Sequence, residues 1–445
     1  MNVSAFNYID QFCIWFTSIF TVPATLLFFG TALFLTIKTG FVQFRGFPRF
    51  LDLVFKGLSR KKEHDTHGRV STIDSFQALF TAMASTIGMG NVVGPSVAIM
   101  VGGPGALFWL LVCIFFGAAT KFTEVTFALH TRVQTPRGLI GGPMEYLKLV
   151  HPYLAYWYTL VMIFLFMSWS SLQANTLASV FSLEGVSPYY VGIALACIML
   201  FVISGGARRV GDVASALVPL MFALYVLFAA GILIINGGML KQAIMLVFSS
   251  AFSGAAAVGG FAGATVLRAM REGIYRSIFI TEAGLGTSSI PHAIADTKRP
   301  TDQGLLALFS MMSDAVLVSL SGLIVLVTGV WHTGAFRSTL IYEAFKMHSP
   351  QLGKLVLLLS ITLFVVTTVI GNTFNGTQSF SSLFRRHSWL RWYIRFTALG
   401  IVAGAMLPVQ SMWNVMDVLL TLVAIPNIIG LLILSFTHAS VLRLK

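Results

Sequence analysis

Apolar residues run in long blocks along this chain, and polar residues gather in the short gaps between them. A block of about 20 apolar residues is what an α-helix needs to cross the hydrocarbon of a bilayer. Eleven such blocks are legible, near residues 14–38, 76–101, 104–130, 157–182, 188–204, 210–236, 251–281, 303–329, 352–384, 388–408 and 412–438. The expected fold class is an all-α polytopic membrane protein with eleven transmembrane helices. The first block is too long for the apolar part of a cleavable signal, and Asp10 rather than a basic cluster precedes it, so it is expected to span.

The cations orient the blocks. With the N-terminus outside, only Lys241, Arg337, Lys346 and Lys354 of the 29 Lys and Arg fall on the outer side. Cytoplasmic segments of membrane proteins carry the excess of Lys and Arg, so the expected C-terminus is cytoplasmic, in a cell (inner) membrane. Segment 38–70 becomes a basic connector on the inner leaflet. The connections 38–75, 131–156 and 330–351 are too short to hold a soluble domain. The expected organisation is a helix and connector over 1–75, then five-helix units over 76–236 and 251–438, together one transport domain.

Composition supports this division. The chain is 56% hydrophobic and 10% charged, against roughly a quarter charged in soluble domains. A net charge of +13 invites a nucleic-acid partner, but the cations sit between apolar blocks and not on one soluble face, so none is expected. Cys13, Cys113 and Cys197 lie in apolar stretches without paired or metal-ligand spacing and are expected to be buried small hydrophobes.

Two spans carry breaks. The second contains Ala84-Ser85-Thr86-Ile87-Gly88-Met89-Gly90-Asn91-Val92-Val93-Gly94-Pro95, and the seventh contains a glycine-rich run over 253–263. Glycine is a poor helix former. Open backbone at membrane depth is tolerated only where it lines a cavity or binds something. Freed N–H groups and half-helix ends suit a carboxylate, and freed carbonyls suit a cation or an ammonium. The breaks lie five spans apart on oppositely directed helices, which is the arrangement of an inverted five-helix repeat. The competing reading is close helix packing, since Gly90/Gly94 and Gly259/Gly263 fit the small-xxx-small pattern. Gly88-x-Gly90-x-x-x-Gly94 has the wrong spacing for a dinucleotide loop and follows no strand.

An ordered set of segments runs through the chain. They are Thr81 to Gly94, Gly102-Gly103-Pro104-Gly105-Ala106-Leu107-Phe108-Trp109 with Ala119 to Val125, Gly141-Gly142-Pro143-Met144, Gln173-Ala174-Asn175, Gly260-Phe261-Ala262-Gly263 and Thr281-Glu282-Ala283-Gly284-Leu285-Gly286. On these the sequence resembles the alanine or glycine:cation symporter family. The resemblance implies a leucine-transporter-type 5+5 inverted repeat preceded by one extra helix, importing a small neutral amino acid with sodium; a monomer is expected. It implies a substrate site at Met89, Gly90, Asn91, Gln173, Gly260, Phe261 and Asn372, and a sodium site at Thr86, Gly90, Thr367 and Thr368. Two stretches depart from the family pattern. Met89 stands where a small hydroxyl residue is usual. Gly371-Asn372-Thr373-Phe374-Asn375-Gly376-Thr377 replaces a Gly-Trp-x-Tyr-Tyr-Gly-Glu run, so Asn372 stands for a pocket Trp and Thr377 for a Glu.

Charges inside a membrane are costly and draw attention by default. Lys121 and Glu124, three apart, are expected to form a snorkelling ion pair near an inner helix end. Arg276 and Glu282 are candidates for an inner-gate salt bridge. Asp314 and Asp417 are either hydrogen-bonded buried acids or proton carriers. His292 and His332 are expected to be solvated, and Trp157, Tyr158, Tyr189 and Tyr190 to sit in an interfacial belt. No H-E-x-x-H, Gly-x-Ser-x-Gly or acidic pair beside a His cluster points to an intramembrane enzyme, and no repeated filter points to a channel.

Overall fold

The apolar blocks fold as helices whose ends follow local chemistry. The computed structural model describes residues 3–59, 73–135, 138–252, 266–332, 340–384 and 386–444. α1 (Val3–Lys38) leads into the short α2 (Val42–Arg45) and α3 (Phe47–Ser59). The first five-helix unit holds α4 (Ser75–Thr86) with α5 (Met89–Gly102), then α6 (Gly105–His130), α8 (Pro152–Ser182), α9 (Pro188–Ile203) and α10 (Gly206–Ile235). A small antiparallel hairpin, β1 (Val133–Thr135) and β2 (Gly138–Ile140), and α7 (Pro143–Tyr146) connect α6 to α8. The second unit holds α11 (Gly237–Phe252) and α12 (Val266–Thr281), α14 (Pro300–Thr328), α16 (Leu352–Leu383), α17 (His387–Met406) and α18 (Val409–Thr437). Two short helices, α13 (Ser289–Ala293) and α15 (Leu340–His348), fill its connections.

Among the described residues, seven helices are long and apolar enough to cross a bilayer: α1, α6, α8, α10, α14, α16 and α18. α4 and α5 form an eighth, bent by 42°. The other expected spans fall on shorter or more polar helices. α9 and α11 are apolar but only 16 residues each. α12 carries Arg268, Arg271, Glu272 and Arg276, and α17 carries Arg391 and Arg395. The expected seventh span, 251–281, covers the end of α11, residues outside the description and α12. Helix begins at Gly237, directly after Asn236 ends α10, and Lys241 with Gln242 breaks the apolar signal there. The glycine-rich run at 253–263, with Gly260 and Phe261, lies outside the described residues.

The bend between α4 and α5 has identifiable local causes. Asp74 caps α4: its side chain accepts from Phe76 N at 2.9 Å, while Gln77 Oε1 accepts from Asp74 N at 3.1 Å. At the other end Ile87 turns extended and Gly88 follows at φ −143°, ψ −157°, so the helical ladder stops. α5 restarts at Met89, with Asn91 Oδ1 accepting from Gly88 N at 3.2 Å. Gly103 at φ +81° and Pro104 then end α5 and start α6.

Packing brings the distant units together around this bend. α16 lies chiefly against α8 and also touches α10 and α4. α6 packs on α12 and α14, and α1 on α18 and α6. A Cβ added at Gly371 would stand 2.7 Å from Ser85 N, so α16 and α4 touch backbone to backbone one turn before the bend.

Several expectations about single residues are corrected here. Tyr158 is fully buried, and its hydroxyl donates to the Leu285 carbonyl at 2.5 Å; only Trp157, Tyr189 and Tyr190 of that belt are exposed. His292 is fully buried, 2.7 Å from Gln303 Nε2 through Nδ1, because α13 folds back into the interior. The side chain of His332 lies outside the described residues. Cys197 is exposed on α9, whereas Cys13 and Cys113 are buried.

Gly371→Val tests the close approach. The added side chain meets fixed backbone at Ser85, and overpacking of this kind costs about 1–3 kcal/mol. The melting temperature of the variant in detergent should fall measurably; an unchanged melting curve would mean α16 and α4 are not in backbone contact.

Candidate functional site

The bend leaves polar backbone facing inward, and three other helices meet it. Gly88 is the meeting point: a Cβ there would lie 2.6 Å from Thr368 Oγ1 on α16 and 3.1 Å from Gln173 Nε2 on α8. Thr368 Oγ1 lies 3.1 Å from the Ile87 carbonyl and 2.7 Å from that of Phe364. Gln173 Oε1 accepts from Met89 N at 3.4 Å. Thr86 turns its hydroxyl back onto Ala82 O at 2.8 Å. Asn91 Nδ2 donates to Asp314 Oδ1 on α14 at 2.7 Å.

A small cavity opens beside the start of α5. It is lined by Met89, Gly90 and Val93, by Leu172, Gln173 and Thr176 of α8, by Phe279 of α12 and by Trp413 of α18. The aromatic wall is layered: Trp169 stacks on Phe279 at 5.3 Å, and Phe279 meets Trp413 at 4.9 Å. The Arg276 guanidinium covers the far side of Trp413 at 5.4 Å.

Of the residues singled out in the sequence, the fold thus brings Thr86, Met89, Gly90, Asn91, Gln173 and Thr368 to one place. Thr367 faces α10 instead: its hydroxyl bonds Leu363 O at 2.9 Å and Phe364 O at 3.0 Å and lies 3.3 Å from Met221 Sδ. Asn372 is fully buried one turn past Thr368 and is not among the cavity-lining residues. Gly260 and Phe261 lie outside the description. Thr176 and Val93 follow Gln173 and Met89 at helical spacing, so they were recoverable from periodicity. Phe279 and Trp413 were not, because only tertiary packing brings α12 and α18 here.

The oxygen set around Ile87 is chemically simple. The Ile87 and Phe364 carbonyls and the hydroxyl of Thr368 are neutral hard donors. Such oxygens suit a hard cation. Among the described residues, no group of three or more His, Cys, Asp or Glu could hold a metal ion.

A second polar cluster lies nearby, and it corrects two expected ion pairs. Lys121 and Glu124 are both fully buried and make no salt bridge with each other. Lys121 Nζ donates to Ser310 Oγ at 3.1 Å, and Glu124 Oε1 accepts from Asn427 Nδ2 at 2.9 Å. The α6 positions face the bundle interior, so neither side chain reaches the membrane surface. Arg276 and Glu282 do not pair either. Glu282 accepts from the Thr287 hydroxyl within its own loop, while Arg276 turns to Trp413 and Tyr275. Asn427 also donates to Gly284 O at 2.9 Å and accepts from the Tyr146 hydroxyl at 2.6 Å, tying α18 to the Glu282–Gly286 loop.

Known proteins resemble this chain in sequence and in fold. The model of the sodium:alanine symporter family matches residues 6–444. The sodium/alanine symporter AgcS of Methanococcus maripaludis is 33% identical over 427 residues, covering 92% of this chain and 91% of its own. The transporter YflA of Bacillus subtilis is 35% identical over 428 residues, covering 93% and 88%. Among solved structures, MhsT in complex with L-phenylalanine aligns with a TM-score of 0.63 at 13% identity, over 82% of this chain and 90% of that one. At that identity the likeness speaks for the fold, and the fold is the leucine-transporter-type inverted repeat that the family resemblance implies. The matched length and the identity to its relatives establish that this chain, a multi-pass membrane transporter and not an enzyme, belongs to the sodium:alanine symporter family.

Proposed function

We propose that the chain is a secondary active symporter that imports a small neutral amino acid with sodium by alternating access. The observation that carries this reading is the interrupted helix at Ile87–Gly88, which presents a carbonyl freed from the helix to Thr368 and a helix start to a small cavity. The first turn of α5 has N–H groups without intrahelical partners, and its dipole favours an anion. The substrate carboxylate sits there, against Met89, Gly90 and Asn91, with Gln173 on one side and Asn372 beyond. Gly260 and Phe261 belong to the same site by family resemblance. Sodium, the co-transported ion, is held by backbone oxygen between Thr86 and Gly90 and by Thr368; the family resemblance adds Thr367, whose hydroxyl has to turn from α10 to join them.

The coupling follows from position. The ion ties α16 to the end of α4, and the substrate loads the start of α5, only one or two residues away. Each ligand fixes the same bend, so each raises the affinity for the other by the same factor. The two repeats, 76–236 and 251–438, then rock around the shared site. The name of the AgcS relative supports both sodium and alanine-like substrates. The protein works as a monomer in the cell's inner membrane, N-terminus outside and C-terminus cytoplasmic, in keeping with its cation distribution. A second reading, proton coupling, draws on Asp314, a fully buried acid bonded directly to Asn91 in the bend.

Uptake of a labelled amino-acid panel into proteoliposomes separates these readings. A sodium gradient alone should drive saturable uptake of one or a few small neutral amino acids. Uptake driven only by a proton gradient would transfer the coupling role to Asp314.

Site variants provide a finer check. Loss of one polar contact is worth about 1.4 kcal/mol, or about tenfold. Thr368→Val should therefore raise the sodium concentration for half-maximal uptake about tenfold, and Gln173→Ala should raise the substrate KM by a similar factor. Parent-like kinetics in both variants would sink the site assignment.

A further inference from the structure

Past Thr368, α16 carries two carboxamides that bond to nothing. Asn372 and Asn375 are both fully buried, and neither the nitrogen nor the oxygen of either side chain has a hydrogen-bond partner. The Thr373 hydroxyl and the Ser170 hydroxyl of α8 are likewise buried and unpartnered. Buried polar groups in folded proteins are almost always paired, and an unpaired carboxamide away from water is costly. This chain does pair other buried asparagines. Asn91 accepts from Gly88 N and donates to Asp314, and Asn427 accepts from Tyr146 and donates to Glu124 and Gly284.

Helical register shows where the two carboxamides face. Thr368, Asn372, Asn375 and Ser379 follow one another at spacings of four, three and four, so they share one face of α16. The face is bracketed on both sides. Gly371 approaches Ser85 of α4, and a Cβ at Gly376 would meet the Tyr393 ring of α17 first and then Phe166 Cβ of α8 at 3.3 Å. The stripe therefore points into the seam between α4 and α8. The cavity beside α5 borders the same seam, and the two meet at Gly88, which touches both Thr368 and Gln173.

We propose that Asn372 and Asn375 form the side-chain end of the transport site and select an amino acid whose side chain is uncharged and hydrogen-bonding, a hydroxyl or a carboxamide, over alanine. A carboxamide is neutral and both donates and accepts, so its complement is a neutral group that does the same. An aliphatic side chain leaves the pair unsatisfied, and a charged one finds no opposite charge on the stripe. Sites built to bond a polar group discriminate strongly against analogues that lack it. The proposal rests on the amino-acid symport reading above and narrows its substrate.

The test is competition in proteoliposomes under a sodium gradient, with unlabelled serine, threonine, asparagine, glutamine and alanine. At least one polar competitor should inhibit at about a tenfold lower concentration than alanine. In Asn372→Leu and Asn375→Leu, of similar volume, the ratio of alanine to polar inhibition constants should collapse towards one. Substrate-induced thermal shifts of the purified variants in detergent give the same ratio if transport is too weak to measure. Sodium-driven uptake with no polar preference in the parent overturns the inference and leaves the symport reading standing. A polar preference that survives in both Leu variants overturns the assignment to α16. Absence of uptake of any amino acid overturns the symport reading itself, and this proposal with it.

Discussion

A backbone carbonyl and a backbone N–H cannot be left unpaired at membrane depth, and that constraint organises this molecule around Ile87 and Gly88. Helix α4 stops there, α5 restarts at Met89, and the groups released must meet something. Thr368 meets the Ile87 carbonyl, Gln173 meets the Met89 N–H, and Asn91 meets the Gly88 N–H. These partners come from α16, α8 and α5 itself. Close contacts such as Gly371 against Ser85 let α16 approach near enough for Thr368 to reach. What a soluble protein would leave to water is met here by side chains of neighbouring helices, and the proposed binding surface is made of this main chain.

The neighbouring polar network extends the same logic to charge. Lys121, Glu124, Glu282 and Asp314 are all fully buried, and each finds a neutral partner: Ser310, Asn427, Thr287 and Asn91. Through Asn91 the network touches the bend, and through Asn427 it reaches the Glu282–Gly286 loop. That loop holds Glu282 at φ +57°, a strained setting for a residue with a side chain, between helices that carry the site and α18. Asn91 and Asp314 thus tie the bend to α14, and Asn427 ties the loop to α18.

Much of this was legible in the sequence. Glycines beside Asn91 and Pro95 marked the bend, because helix propensity and the cost of open backbone in lipid both act locally. The helix α11 was not read as one because Lys241 and Gln242 break its apolar run. The interior destinations of Lys121, Glu124, Tyr158 and His292 were not legible. Spacing along one helix gives a face, but which face turns inward is set by packing against α14, α18 and α13. Trp413 and Phe279 illustrate the same limit, since they reach the cavity from opposite ends of the second unit and leave no local trace. The departures at Asn372 and Asn375 were visible as letters, but their lack of partners required the fold.

The central claim is that ion and substrate share one bend. Calorimetric titration of the purified transporter with its substrate, in sodium and then in an equal concentration of choline, tests it most directly. The account predicts that sodium tightens substrate binding on the order of tenfold or more, and that substrate tightens sodium binding by the same factor. Equal substrate affinity with and without sodium, in protein that binds both, would contradict it.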